Sequence, residues 1–450
     1  MRKRTVKILK GIGIAVVVLG VLYAIGVAVS AAKLRRAYAE LEKAGRPMNA
    51  ANVIPPTVAE AENAALLYES ATLLLKAEAA GQENLLSHLG SLSGTFLTES
   101  LDADKRAELE RLLEQDTVHR ALSILEQGTR RRSCRFDHDY TAGANMLMPH
   151  LSGLRDVIRI LGAKACVEAA AGRPDAAWDL AVTQLRFADA LRNEPVLISQ
   201  LVRFASIRIS CATIQKVCEV APPNAEQYSG LESMLSDYED RKALILALDG
   251  ERLLLGEWAF DALKNGSVKD LSLRADTGGE SGIEEGFVRL YGAFKPLSLA
   301  DHAAYLQIMR EYTESAQRPY SPNGASAMDN KIGKMRSRLH VVTSLVVPAI
   351  GRVKEVYWEM VAQMRVTRAG LAVLQDSKAQ RAFPQTLESL KPRDLSDPFS
   401  DGPLLYRPNP DGFILYSIGP DQKDNNGSPK QKKQRTDWDI VWQFPSDGPK

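Results

Sequence analysis

The chain has 450 residues, of which 45% are hydrophobic and 25% charged, and its formal net charge is +2. This composition is that of a folded protein of two or three domains, and the balanced charge gives no general attraction to nucleic acid, which is not expected as a partner. Four cysteines are too few for a disulfide framework, and no Cys-x-x-Cys or Cys/His cluster predicts a zinc or redox site.

The N-terminus predicts a membrane segment. A basic tail, residues 1–10, carries Arg2, Lys3, Arg4, Lys7 and Lys10, and an uncharged run follows from Gly11 to Ala32. As a helix this run would span roughly 33 Å, enough to cross a bilayer. The basic tail favours a cytoplasmic N-terminus, and the run is longer than the apolar core of a cleaved signal peptide. We therefore expect an uncleaved signal anchor.

Four segments follow from this interpretation: a cytoplasmic basic tail (1–10), a transmembrane signal anchor (11–32), an exported α-helical domain (33–330) and a C-terminal module (331–445). The expected location is the bacterial inner (cytoplasmic) membrane, single-pass, with the N-terminus inside and the bulk of the chain periplasmic or extracytoplasmic. The expected partners are the lipid bilayer, through residues 11–32, and a protein that the sequence does not identify.

The exported body is predicted to be mainly helical. Its clearest unit is a hairpin in which Leu151–Ala171 turns at Gly172-Arg173-Pro174-Asp175 and returns over residues 176–191, before a third helix at Pro195–Val220. Small residues near the turn permit close helix packing, as in tetratricopeptide-like pairs, but no 34-residue repeat is present. The fold class is therefore a helical bundle or tetratricopeptide-like body with a small α+β module at its C-terminus.

Apolar periodicity predicts further helices, and a Gly- and Ser-rich stretch, Asn265–Gly282, predicts a mobile loop. The predicted helices are Val58–Ala80, Asp102–Leu113, Thr117–Gln127, Glu226–Asp237, Tyr238–Lys264, Ser298–Gln317 and Val341–Gln380.

One histidine segment is a candidate for chemistry. Asp137-His138-Asp139, with His150 further on, has the residue types of a metal site or a general base. On a strand, however, both aspartates would point away from His138. The alternative is a connector in which His138 is solvated or hydrogen-bonded locally.

The cysteines leave two alternatives open. Cys211 and Cys218 are expected on one helix, roughly 10 Å apart and beyond disulfide reach, so a bridge would need Cys134 or Cys166. The other expectation is simple burial on apolar helix faces.

The C-terminal stretch predicts a three-stranded sheet. Leu404–Arg407 and Phe413–Ser417 flank a Pro-, Asn- and Asp-Gly-containing turn and should form an antiparallel hairpin, and a third strand should follow at Asp439–Trp442. Three short strands need a helix to pack on, so the preceding helix is assigned to the same module.

An acidic loop separates the second and third strands and carries Asp421, Asp424, Asn425, Asn426, Gly427 and Asp437, with Asp439 just beyond. Side-chain oxygens gathered by one loop are what calcium requires, although the spacing is not that of an EF-hand. The alternative is a solvated turn whose acidic side chains cap strands.

The order of these features resembles the C-terminal domain of the major pseudopilin (G type) of bacterial type II secretion, over about residues 341–445. The motifs that carry the resemblance are Phe383-Pro384, Asp397-Pro398-Phe399, Tyr406, Leu415–Asp421 and Asp437–Ile440. No prepilin-type start is present, because Gly11-Ile12-Gly13-Ile14-Ala15 lacks the expected aromatic and Glu positions. The resemblance does not extend to residues 33–340.

The resemblance implies Ca²⁺ as cofactor, with Asp421, Asp437 and Asp439 as side-chain ligands and the Ile418 carbonyl as a backbone ligand. Asp424 is a further candidate that this sequence supplies. The basic insertion Lys430–Arg435 departs from the family pattern and opposes cation binding electrostatically.

Three functions are consistent with these patterns. The first is a membrane-anchored, exported, non-enzymatic protein with a calcium-binding pseudopilin-like module, acting in envelope assembly, secretion or protein interaction. The second is a helical interaction scaffold whose C-terminal module is structural. The third is a hydrolase that uses the Asp137-His138-Asp139 region, for which no catalytic motif is present.

Overall fold

The computed structural model describes residues 2–76 (with side chains from residue 9), 84–99, 101–265, 290–320, 340, 342–343, 352–388, 390, 395–400, 402–430 and 437–446. Within these ranges the chain is mainly helical and ends in an open three-stranded antiparallel sheet, which confirms the predicted fold class.

The helices follow the apolar periodicity of the sequence. They are α1 (Arg2–Lys43), α2 (Ala64–Lys76), α3 (Leu85–Thr98), α4 (Ala103–Leu113), α5 (Asp116–Thr129), α6 (His150–Ala170), α7 (Pro174–Ala188), α8 (Leu197–Val220), α9 (Ala225–Tyr238), α10 (Lys242–Gly250), α11 (Glu257–Lys264), α12 (Lys295–Ala316) and α13 (Val353–Gln380). A π-helical segment, Glu251–Gly256, joins α10 to α11. The predicted mobile loop lies outside the described residues, apart from Asn265.

The predicted helical hairpin is confirmed as α6 and α7, with Pro174 at the first position of α7 and Gly172 in the left-handed conformation between them. Helix α8 packs against both, so the three helices form the centre of the body. Helix α3 was not predicted from the sequence. Its Gly90 lies so close to Asp156 of α6 that no side chain would fit at position 90.

The N-terminal helix α1 has the length and apolar composition of a membrane-crossing helix, and its apolar window is unburied. A signal sequence has the same length and apolar composition. So has α8, which is largely buried in the body. Helix α1 continues without a break to Lys43, and its C-terminal half packs along α12.

The C-terminal strands are β1 (Leu405–Asn409), β2 (Gly412–Ser417) and β3 (Ile440–Phe444), in the order β1-β2-β3. The predicted hairpin is confirmed, with Asn409 opposite Gly412. Helix α13 packs on β2 and β3, but it also packs on α8 and α9 of the helical body. One buried apolar cluster therefore runs from the body into the sheet, across the predicted boundary at residue 330.

All four cysteines are free, and Cys211 and Cys218 are buried on α8. The predicted alternative of a disulfide is therefore wrong, and burial on an apolar helix face accounts for these two thiols.

Candidate metal centre

Two histidines and one glutamate meet beside the N-terminal end of α6. The ligand atoms of His138, His150 and Glu194 all lie within 4.8 Å of one another, and this is the one such group of His, Cys, Asp or Glu side chains in the described part of the chain. Their side chains are 2%, 6% and 6% exposed, respectively. The sequence separation is large, so only tertiary packing brings the three together.

The connector that carries His138 is extended, and its burial alternates. Phe136, His138 and Tyr140 point inward, whereas the Asp137 side chain is 99% exposed and Asp139 is exposed. Asp139 accepts hydrogen bonds from the backbone and hydroxyl of Thr141. The aspartates therefore do not act with His138, as the strand argument anticipated. The alternative of a solvated or locally bonded His138 is wrong, because its bonded partner is the distant Glu194.

Hydrogen bonds from neighbouring elements hold the segments that carry His138 and Glu194. Asn63, just before α2, bonds both the backbone N–H and the carbonyl of Arg135, which fixes the connector. Gln200 on α8 is fully buried and donates to the carbonyls of Leu191 and Glu194 at 2.7 and 3.0 Å. Buried hydrogen bonds of this kind are costly to break, so the backbone position of Glu194 is well defined.

The charge state of the cluster follows from its contacts. Burial by itself raises the pKa of the Glu194 carboxyl, but the hydrogen bonds from His138 and His150 outweigh it and bring the pKa to about 2. An ionised carboxylate only accepts hydrogen bonds, so the Nε2 atom of each imidazole carries the proton that faces Glu194. A metal ion would replace these two protons.

The distances suit a small transition metal. The Nε2 atoms of His138 and His150 lie 3.0 and 3.1 Å from Glu194 Oε1. Ligands held at about 2.0–2.2 Å in a tetrahedral zinc site are about 3.3 Å apart, and two His with one Glu is a known zinc ligand set that leaves a fourth position open. His138 Nδ1 is buried without a hydrogen-bond partner, so this ligand lacks the usual outer-shell acceptor.

A cavity of about 200 Å³ borders the cluster at His150. Aromatic and aliphatic groups dominate its wall, and Phe136 stacks on the His150 ring at 4.1 Å between centroids. Lining residues include Tyr68, Leu73, Phe136, Leu154 and Phe187, with Lys76 as a cation. The space beside the cluster thus suits a small apolar group.

The acidic loop of the C-terminal module differs from the His138, His150 and Glu194 cluster, because its carboxylates accept hydrogen bonds from the backbone of the loop itself. Asp421 accepts from the backbone of Asp437 at 2.9 Å, and Asp424 accepts from Asn426 at 2.8 Å. Asp439 is buried and accepts from the backbone of Gly427 at 2.8 Å. These contacts close a tight turn.

The five predicted calcium ligands belong to one region of the chain. Among the described residues, however, no three of their carboxylates bring their oxygen atoms within 4.8 Å of one another. Ile418 uses its N–H to bond Asp397 at 2.9 Å. Lys430 Nζ lies 4.2 Å from the centroid of the Trp438 ring, and residues 431–435 of the basic insertion lie outside the described residues. Calcium binding here stays a prediction.

Comparison with protein-family models, curated proteins and solved structures finds no match to this chain. The resemblance to the pseudopilin C-terminal domain therefore remains a prediction from motif order.

Sequence reasoning identified His138 and His150 but missed Glu194. This glutamate follows Arg192-Asn193 in a short interhelix link and has no motif spacing to either histidine. The available signal was a Glu-Pro pair directly before an apolar helix, which is too common to predict a ligand.

Proposed function

We propose that this chain is a membrane-anchored protein whose helical body binds a divalent transition metal, zinc in the first place, through His138, His150 and Glu194. The observation that carries the proposal is the convergence of these three nearly buried ligand atoms within 4.8 Å. Residues 11–32 supply the anchor, and the basic tail before them favours export of the body.

The three residues have distinct roles in such a site. Glu194 supplies the negative charge, while His138 and His150 would supply neutral imidazole nitrogens with Nε2 free to bind the metal and the ring proton on Nδ1. A bound zinc ion supplies Lewis acidity at its open position. The cavity at His150 presents a mainly apolar wall beside that position.

Metal titration of the full chain in detergent tests the proposal. After treatment with a chelator, the wild-type protein should take up one zinc ion per chain, as measured by elemental analysis and calorimetry. Glu194→Gln and His150→Gln should each abolish stoichiometric uptake. Glu108→Gln is the matched control, because Glu108 pairs with His88 at 3.0 Å and its side chain is 39% exposed.

Two results would rule out the metal site. One is a wild-type chain that binds no stoichiometric zinc. The other is a Glu194→Gln variant that binds zinc as the wild type does. A loss of stability in Glu194→Gln that is equal with and without zinc would identify the cluster as a structural ion pair.

The anchor is tested separately. Deletion of residues 1–32 should release the chain from the membrane fraction into the soluble fraction. A chain that is already soluble at full length, or that loses residues 1–32 on export, would identify the segment as a signal sequence.

Calcium binding by the acidic loop is a second candidate, favoured by the backbone hydrogen bonds through which Asp421, Asp424 and Asp439 hold this loop in one tight turn. A pseudopilin-like module stabilised in this way would serve envelope assembly, secretion or protein interaction. Calcium should raise the thermal unfolding midpoint, and Asp421→Ala should remove the increase. Asp411→Ala, in the exposed hairpin turn, is the control. An unchanged midpoint in the wild type removes this candidate.

A further inference from the structure

Helices α1 and α12 run side by side in the same direction. The Tyr23 and Phe294 rings are 5.4 Å apart, a side chain at Gly26 would touch Pro296 at 3.4 Å, and Glu40 pairs with Arg310 at 3.3 Å. The sequence separation between Gly26 and Glu40 equals that between their partners, Pro296 and Arg310. The two helices therefore stay in register over about four turns.

This pairing sets the depth of the start of α12. The uncharged run of α1 ends at Ala32. At about 1.5 Å per residue, Gly26 lies about 9 Å and Tyr23 about 13 Å before that end. If α1 crosses a bilayer, Phe294 and Pro296 therefore lie within the apolar layer, whose thickness is about 30 Å.

The side chains at this depth suit lipid. Leu290 is 72% exposed and Phe294 is 45% exposed, although both are large apolar groups. Tyr291 between them is buried and donates a hydrogen bond to Asp301 at 3.0 Å, so the segment is fixed to the body. Lys295 is exposed and long enough to reach the headgroups.

A polar pocket of about 490 Å³ lies between α1 and α12 just beyond the apolar run. Lys33, Arg36 and Arg310 line it, and Glu40 is the one acidic lining residue in the part of the chain that the structure describes. Arg310 Nε is buried without a hydrogen-bond partner. Lys33 and Arg36 lie about 1.5 and 6 Å beyond Ala32, at the level of lipid headgroups.

We infer that α1 and α12 together form a membrane-docking surface, in which Leu290 and Phe294 enter the hydrocarbon layer and the pocket of Lys33, Arg36 and Arg310 binds the phosphate of an anionic phospholipid. The inference rests on α1 crossing the membrane and is independent of the metal site. The helical body then lies directly against the bilayer, because both α1 and the start of α12 enter the apolar layer and no free linker separates the body from the membrane.

Depth is measured with tryptophan variants of the full chain in nanodiscs that contain acyl-brominated phospholipid. Phe294→Trp should be quenched clearly more than the parent protein, whose five tryptophans provide a constant background. Leu147→Trp is the control, because Leu147 is 81% exposed and lies in the connector before α6. It should show no additional quenching.

Val18→Trp, in the anchor, tests the membrane anchor separately from the docking surface. Quenching at position 18 but not at 294 would overturn the docking surface and leave the anchor intact. No quenching at either position would remove the anchor itself. Protection of position 294 from both brominated lipid and aqueous iodide would show that protein covers it, for example a second copy, and would also overturn the inference.

Lipid selectivity is measured by native mass spectrometry of the full chain in detergent with added phosphatidylglycerol or phosphatidylcholine. The anionic lipid should be retained preferentially. Each cation at a membrane surface contributes about fivefold in binding, so Lys33→Gln/Arg36→Gln should weaken retention about 25-fold. Lys105→Gln/Arg106→Gln, on exposed positions of α4, should leave it unchanged.

Equal retention of the two lipids would overturn the headgroup pocket. Displacement of the lipid by millimolar inorganic phosphate, with the same sensitivity to the Lys33 and Arg36 substitutions, would make it a phosphate site and would also overturn the inference.

Discussion

Gly370 of α13 faces the ring of Trp442 on β3 so closely that a Cβ atom at position 370 would lie 2.1 Å from Cε3 and Cζ3 of the indole. The absence of a side chain at this one helical position allows the sheet to pack on the helix. We expect Gly370→Ala to destabilise the protein by about 1–3 kcal/mol, because the clash outweighs the gain in helix propensity. Denaturant unfolding measures the change.

Gly230 on α9 provides the opposite control, since nothing lies within 4 Å of a Cβ atom there. Gly230→Ala should stabilise the protein by about 0.5–1 kcal/mol. Equal effects of the two substitutions would contradict the packing argument.

Glu251 should make stability fall as the pH rises. Burial raises the pKa of its carboxyl to about 7, although a hydrogen bond from the Leu197 backbone acts to lower it. An unfolded glutamate has a pKa of about 4.3, so the protonated side chain favours the folded state fully below that pH, and this contribution is lost as the pH rises through 7. The loss is on the order of 3 kcal/mol.

Glu251→Gln should therefore be more stable than the wild type at pH 8 and show little difference at pH 4. Unfolding midpoints across this range measure the effect. Glu219→Gln, at an exposed position near the end of α8, should not alter the pH profile. A Glu251→Gln variant with the wild-type pH dependence would show that the carboxyl does not titrate in this range.

Asp397 ties the segment before the sheet to the end of β2. Its carboxylate is buried and accepts from Ser417 Oγ at 2.7 Å and from the Ile418 and Phe399 backbone N–H groups at 2.9 and 3.0 Å. Asp397→Asn places an amide donor against these donors and should cost about 2–4 kcal/mol. Thermal unfolding measures this loss, with Asp411→Asn in the exposed turn as the control. A loss no larger than that of the control would rule out the buried bonding role.

Arg368 joins α13 to α9 by a forked contact. Its Nε atom lies 3.0 Å from both carboxylate oxygens of Glu232, and Nη1 lies 2.7 Å from Glu239. Lysine cannot reproduce this geometry, so Arg368→Lys should destabilise the protein by about 2 kcal/mol. Arg352→Lys is the control, because the Arg352 side chain is 79% exposed. Equal stability of the two variants would contradict the expectation.

Local patterns predicted much of the fold. The helix α6 begins and ends within one residue of the predicted Leu151–Ala171, because apolar spacing, a glycine and a proline all mark its ends. The hairpin of β1 and β2 was predicted for the same reason, since its turn residues and alternating apolar residues are adjacent in the chain. The helix α3 was missed because its Gly and Ser content weakens the helical pattern.

The metal centre was predicted in part. His138 and His150 were singled out by residue type, but their partner was expected nearby in sequence and proved to be Glu194. A carboxylate that becomes buried through the packing of α6, α7 and α8 carries no local sign of that burial.

The sequence by itself determined which segments are helices and strands, the apolar N-terminal helix and the candidate histidines, because these depend on residue type and on spacing over a few residues. Only the tertiary structure decided that Glu194 joins the histidines, that Gly370 admits Trp442 and that α12 runs beside α1. Each of these relationships depends on contacts between residues distant in the chain, and such contacts are set by the packing of whole elements.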